Sequence, residues 1–195
     1  MPILNTPDFI FHNAIDFYKM GKKRATELFA NDPKKDPYLW YHISAPAVNL
    51  SFSLELMLKT ILILEKGSIE KKHEFVDLFK DISELSKNKI IKHFESSKPN
   101  SSEYPAVKFS KNEDVETSNK DSWTTEEQLL KILSTHSAAF VSWRYSFELS
   151  NLENTTESLE FDFGGMIRVI EAVANYLSDE IRNKLTTNSH ISPLS

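Results

Sequence analysis

From Ile43 to Leu64 the chain sets Ile43, Ala47, Leu50, Leu54, Met57, Ile61 and Leu64 along one helical stripe, and Leu58 and Leu62 carry the apolar surface on around the cylinder. A helix that is apolar nearly all round must be covered on every side, so residues 38–65 are expected to form the central member of a bundle. Its most apolar part, Leu54 to Leu64, is interrupted by Glu55 and Lys59 and is too short to span a bilayer, so no membrane association is expected. Pro46 removes a backbone donor inside the run, which predicts a kink or a false start there. Gly67 suits a left-handed cap at the end.

The rest of the chain reads as cover for that rod. Thr6-Pro7-Asp8 is a helix start, and Ile10, Ala14, Phe17, Gly21, Ala25 and Leu28 follow at helical spacing, widened by Phe11, Ile15 and Tyr18, until about Asn31. A shorter helix begins near Glu74, with Phe75, Leu78, Phe79, Ile82 and Leu85 inward, and Ile90, Ile91 and Phe94 continue it as a separate or bent segment. Thr124 or Thr125, followed by Glu126 and Glu127, resembles a capping start for a helix. In that helix Leu129, Leu133, His136, Phe140, Trp143 and Phe147 keep a seven-residue repeat. The last helix is expected from Gly165 to about Leu185, with Met166, Val169, Ile170, Val173, Leu177 and Ile181 inward and a frayed tail over about 187–195. Between these lie a long polar loop, about 96–123, in which Tyr104, Val107 and Phe109 suit a short extended segment, and an acidic connection with alternating Leu159, Phe161 and Phe163.

Composition agrees with an all-α fold of about five helices in a single domain over 1–195. Four glycines are too few for the tight turns of an all-β protein. The absence of cysteine excludes disulfides, thiolate zinc sites and cysteine nucleophiles. A net charge of −5 gives no global attraction to nucleic acid or anionic membrane. The N-terminus, MPILNTPDFIF, lacks the basic and apolar regions of a signal peptide, so a cytoplasmic location is expected.

Few residues stand out chemically. Ser53, Glu55 and Lys59 share the central helix, and Glu55 and Lys59 are spaced to pair. Buried charges must find partners, so the group is either a structural clamp toward Arg144 and Glu148 on a later helix or the lining of a polar cleft. His73, at a helix start, either closes the turn or takes part in chemistry, and His136 lies on an apolar stripe as a core histidine or a ligand. No histidine pair has metal-ligand spacing, and neither a nucleophile elbow nor a glycine-rich phosphate loop is present, so no metal and no cofactor are expected. Lys19, Lys22, Lys23 and Arg24, and more weakly Lys87, Lys89 and Lys92, form basic patches that are either solvated helix faces or phosphate-attracting ones.

Three stretches together resemble the HEPN superfamily: Asn49 to Lys59 (NLSFSLELMLK) is similar to its central-helix signature, His73 to Phe79 (HEFVDLF) to the His-Asp-Leu segment opening the next helix, and Trp143 to Glu148 (WRYSFE) to an Arg-Tyr stretch on a later helix. The resemblance covers roughly residues 40–150 and implies an antiparallel up-and-down bundle, often a homodimer. Many members are metal-independent RNA-cleaving toxins or effectors in microbial defence, toxin-antitoxin and stress systems, and others bind nucleotides or partner proteins. Active members place a histidine four to six residues after an arginine; here Arg144 is followed at those positions by Glu148, Leu149 and Ser150. The resemblance therefore implies a dimeric module binding a partner protein, nucleotide or RNA through Ser53, Glu55, Lys59, His73 and Tyr145. The alternative is a divergent endoribonuclease using Arg144 with Glu148 or with a distant histidine such as His73 or His136.

Overall fold

The computed structural model describes residues 7–30, 42–68, 71–97, 103–109, 123–137 and 159–189. Among them are six helices, α1 (Pro7–Phe29), α2 (Ser44–Lys66), α3 (Phe75–Asp81), α4 (Glu84–Ser96), α5 (Thr125–Thr135) and α6 (Phe163–Ser189), and two short strands, β1 (Ala106–Phe109) and β2 (Leu159–Asp162). The fold is all-α, with a two-stranded antiparallel ribbon as its one sheet among the described residues.

α2 is the central rod. Ile43, Ala47, Leu50, Leu54, Met57, Leu58, Ile61 and Leu62 are buried, with α1, α3 and α6 packed around them. By length and composition α2 could cross a membrane, yet most of its apolar window is buried inside the fold, as a core helix requires. The helix starts at Ser44, so Pro46 falls in the first turn, where a backbone N–H has no intrahelical partner and its loss costs nothing. No kink is needed, and the expected members 38–41 lie outside the described residues. Gly67 closes the helix at φ 72°, donating its N–H to Ile63 O at 2.9 Å.

α1 lies close against α2 because Gly21 has no side chain. A Cβ at Gly21 would stand 2.9 Å from Leu50 Cγ and 3.1 Å from the Leu50 backbone nitrogen. Its buried line is Phe11, Ala14, Gly21, Ala25 and Leu28, so Phe11 rather than Ile10 opens the inward face.

The shorter helix divides at Ile82-Ser83. Ser83 caps α4 by accepting the Ser86 N–H, and this resets the helical phase to Ser86, Ile90 and Phe94. Leu85, expected inward, is consequently 69% exposed. In the long polar loop, β1 pairs with β2 in the register Val107 to Phe161 and Lys108 to Glu160. Phe161 and Phe163 are both buried, and Asp162 caps α6 by accepting the Gly165 N–H at 2.9 Å. α6 runs helically to Ser189, beyond the expected end near Leu185, and buries Met166, Val169, Ile170, Val173 and Leu177. The second half of the seven-residue repeat, Phe140, Trp143 and Phe147, lies outside the described residues.

Candidate functional site

Midway along α2, between the buried Leu54 and Leu58, stands a carboxylate. The Glu55 side chain is 3% exposed. A buried anion without compensation would cost several kcal/mol, roughly what the neighbouring apolar contacts supply, so the fold has to answer it. One answer is local: Lys59, one turn on, brings Nζ to 2.9 Å from Glu55 Oε1 and is itself only 11% exposed. The acidic residue precedes the basic one by four, the more favourable order for a helical pair.

The second answer is tertiary. His73, in the connection ahead of α3, sets Nδ1 2.8 Å from the same Glu55 Oε1. A carboxylate only accepts, so Nδ1 carries the hydrogen in this contact. The histidine side chain is 65% exposed, which opens the ring to solvent while its inner edge is fixed. His73 does not cap α3; that position belongs to Glu74, whose side chain makes no capping bond. Instead it ties the connection to the central rod. Glu55 Oε2 is buried with no hydrogen-bond partner among the described residues.

The remaining residues singled out in the sequence are placed differently. Ser53 is fully buried and donates its hydroxyl to the Ala14 carbonyl at 2.7 Å, stitching α2 to α1 rather than joining Glu55. Arg144, Tyr145 and Glu148 lie outside the described residues. The last described residue before them, Ser137, stands beside the start of α3: its hydroxyl is 3.4 Å from Glu74 Oε2 and accepts the Val76 N–H at 3.5 Å.

His136 is a core histidine. Nδ1 donates to the Ile132 carbonyl at 2.7 Å, Nε2 accepts the Asp162 N–H at 2.8 Å, and the ring meets Phe161 edge to face. Burial holds its imidazole below the usual range, so it stays neutral. With both nitrogens committed it has no free position for a proton in transit.

The basic patches are largely paired. Lys22 reaches Glu171 at 2.7 Å, Arg24 reaches Glu27 at 3.1 Å, Lys87 reaches Glu84 at 2.7 Å and Lys89 reaches Glu180 at 2.6 Å. Solvated, ion-paired helix faces explain them better than a bare phosphate-attracting surface.

Three polar groupings were not evident from the sequence. Tyr18 and Lys22 of α1 share the Glu171 carboxylate of α6. Glu65 accepts from the Ser83 N–H at 3.0 Å and from the Ser83 hydroxyl at 2.7 Å, and Ser86, which also bonds Glu65, meets the Tyr176 hydroxyl at 2.6 Å. Arg168 stacks 3.7 Å from the Phe94 ring centroid and donates to the Phe94 carbonyl at the end of α4. Each joins residues far apart in the chain, where no local pattern could signal the partnership. The Ser83–Ser86 spacing is the exception, being a recognisable cap.

Among the described residues no group of three or more His, Asp or Glu side chains is gathered as a metal ion would need. Comparison with protein-family models, with curated proteins and with solved structures finds no match to this chain.

Proposed function

We propose that the protein is a HEPN-like helical module that acts as a dimer and binds a phosphate-bearing ligand, RNA or a nucleotide, or a partner protein, in a microbial defence, toxin-antitoxin or stress setting. The observation that carries this reading is the Glu55 cluster. The two stretches of the resemblance that fall within the described residues, around Glu55 and around His73, meet through one hydrogen bond at 2.8 Å. Residues that resemble separate family motifs thus converge on a single charged spot at the edge of the central rod. A phosphate-bearing ligand suits that spot better than an apolar partner surface, because His73 is exposed there and the exposed Lys71 lies two residues before it in the chain.

The test is fluorescence anisotropy of labelled single-stranded RNA with the purified full chain, beside Lys71→Ala and His73→Ala variants. Binding weakened in both variants supports the reading; RNA and nucleotides that fail to bind at micromolar protein remove its ligand half. Light scattering tests the dimer, and a mass of one protomer at micromolar concentration counts against it.

A second reading, a divergent metal-independent endoribonuclease using Arg144 with a non-standard acid or base, is favoured by one feature, a 65% exposed His73 side chain whose Nδ1 is bound to Glu55. Incubation with mixed RNA in chelator, beside Arg144→Ala, tests it: cleavage lost only in the variant supports the enzyme. Uncleaved RNA leaves the binding module.

A further inference from the structure

We infer that His136 is an acid-operated latch on the junction between β2 and α6: a proton on its ring turns the acceptor that holds the Asp162 backbone into a donor and frees that junction.

The latch stands where three elements end. His136 follows α5 directly, Asp162 is the last residue of β2, and Phe163 is the first of α6. The ring is fully buried and uses both nitrogens. Nδ1 donates to the Ile132 carbonyl at 2.7 Å, which ties the ring to its own helix. Nε2 accepts the Asp162 N–H at 2.8 Å, which ties the strand to that helix. A backbone N–H can only donate, so Nε2 serves as its partner only while it carries no hydrogen.

A proton added there sets two donors face to face at 2.8 Å. The Nδ1 bond is undisturbed, because that nitrogen donates in either state. The conflict therefore falls on Asp162, which has two ways to relieve it. Its backbone can withdraw, or its carboxylate can turn to the imidazolium from the Gly165 N–H, 2.9 Å from Oδ1. The first undocks the end of β2 and the second uncaps the start of α6. Both loosen the same junction, and the residues that flank Asp162 there, Phe161 and Phe163, are buried and apolar.

Among the described residues, the charged groups that act on the ring are the carboxylates of Asp162 and Glu160 on β2, and both favour the proton. None on α3, α4 or α6, the helices packed against α5, does so. Burial outweighs the two carboxylates and keeps the latched ring neutral. Once released into water the ring returns to its ordinary 6.5, so opening takes up a proton below that pH. The α1–α2 contact depends instead on Gly21, Leu50 and the Ser53 hydroxyl, which do not ionise in this range, so acid acts on the junction first.

The experiment is hydrogen exchange of the full chain from pH 7.5 to 5.0, corrected for the intrinsic pH dependence of exchange. It is run beside His136→Gln, whose side-chain oxygen can accept the Asp162 N–H but takes no proton. In the wild type, protection over residues 159–165 is expected to fall by up to about tenfold per pH unit below 6.5, the limit for one proton, while α2 keeps its protection. In His136→Gln it is expected to stay level. Wild-type protection over 159–165 that stays level, that falls only together with α2, or that falls equally in the folded variant overturns the inference. If circular dichroism shows the variant unfolded, the wild type decides by NMR. The ring nitrogens and the Asp162 amide are then expected to shift with one midpoint, and a ring that titrates without moving that amide overturns the latch.

Discussion

At His136 the fold holds an uncharged imidazole between two backbone groups, the Ile132 carbonyl and the Asp162 N–H. The Ile132 carbonyl keeps a second partner, the His136 backbone N–H at 3.2 Å, whereas the Asp162 N–H is met by the ring. His136→Phe keeps an aromatic ring against Phe161, larger than imidazole in a fully buried site, and removes both ring nitrogens. We expect it to destabilise the fold by about 1–3 kcal/mol, from a part-buried donor left unsatisfied and from the larger ring in a closed site. Urea denaturation at pH 7.5 measures this, and a loss under about 0.5 kcal/mol would show that Asp162 finds another acceptor. His73, which the sequence places at a helix start rather than on an apolar stripe, behaves differently. One is enclosed with both nitrogens engaged, and the other is pinned by one nitrogen with its ring 65% exposed.

Between elements, the closest constraint is α1 on α2. Gly21→Val would push a branched side chain into Leu50, which is fully buried and cannot retreat. The overpacking cost, about 1–3 kcal/mol, exceeds the roughly 0.5 kcal/mol that valine gains over glycine in helix propensity. A lower thermal midpoint for Gly21→Val is therefore expected, and an unchanged one would mean that the helices can separate freely. A smaller effect belongs to α5, where Thr124 and Glu127 form a full capping box. Thr124→Ala should cost about 1 kcal/mol in the same measurement. The helix start at Thr124 or Thr125, the α2 rod and the inward line of α6 were all legible, because each depends on a period or a cap within a few residues. Leu85 was misread because Ser83 interrupts the period between Ile82 and Ile90, and periodicity carried across a cap loses its phase. The pairing of β1 with β2 was legible only as two extended segments, since Val107 and Phe161 select each other through the tertiary fold. At the candidate site, the Glu55–Lys59 spacing was readable, but nothing in a single sequence states that His73 rather than Ser53 joins it.

Across the whole molecule, ionisable groups brace the fold at both ends of the pH scale, and the signs can be worked out. His136 is depressed by burial from its ordinary value of 6.5, so its contribution is complete above that value and is lost as pH falls through the folded one. Glu65 follows at lower pH: burial opposes its ionisation, but hydrogen bonds from Ser86 and Ser83 outweigh this and lower it from 4.5. Its share is likewise present above 4.5 and lost on acidification. At the other end, Tyr18 is raised from 10.0, first by burial and then by its bond to Glu171. Its contribution is complete below 10.0 and is lost as pH rises toward the folded value. Lys22, raised from 10.5 because Glu171 and Tyr18 outweigh burial, has the same sign. Tyr18→Phe isolates one of these braces. It should cost about 1 kcal/mol at pH 7, the net value of the lost hydrogen bond. The gap between wild type and variant should then narrow above pH 10.0, because only the wild type has a phenol to ionise against Glu171. Urea midpoints at pH 7, 9 and 10.5 measure that gap. Two curves that stay parallel through this window would mean that the α1–α6 contact does not depend on the Tyr18 proton, and that Lys22 alone holds Glu171 in place.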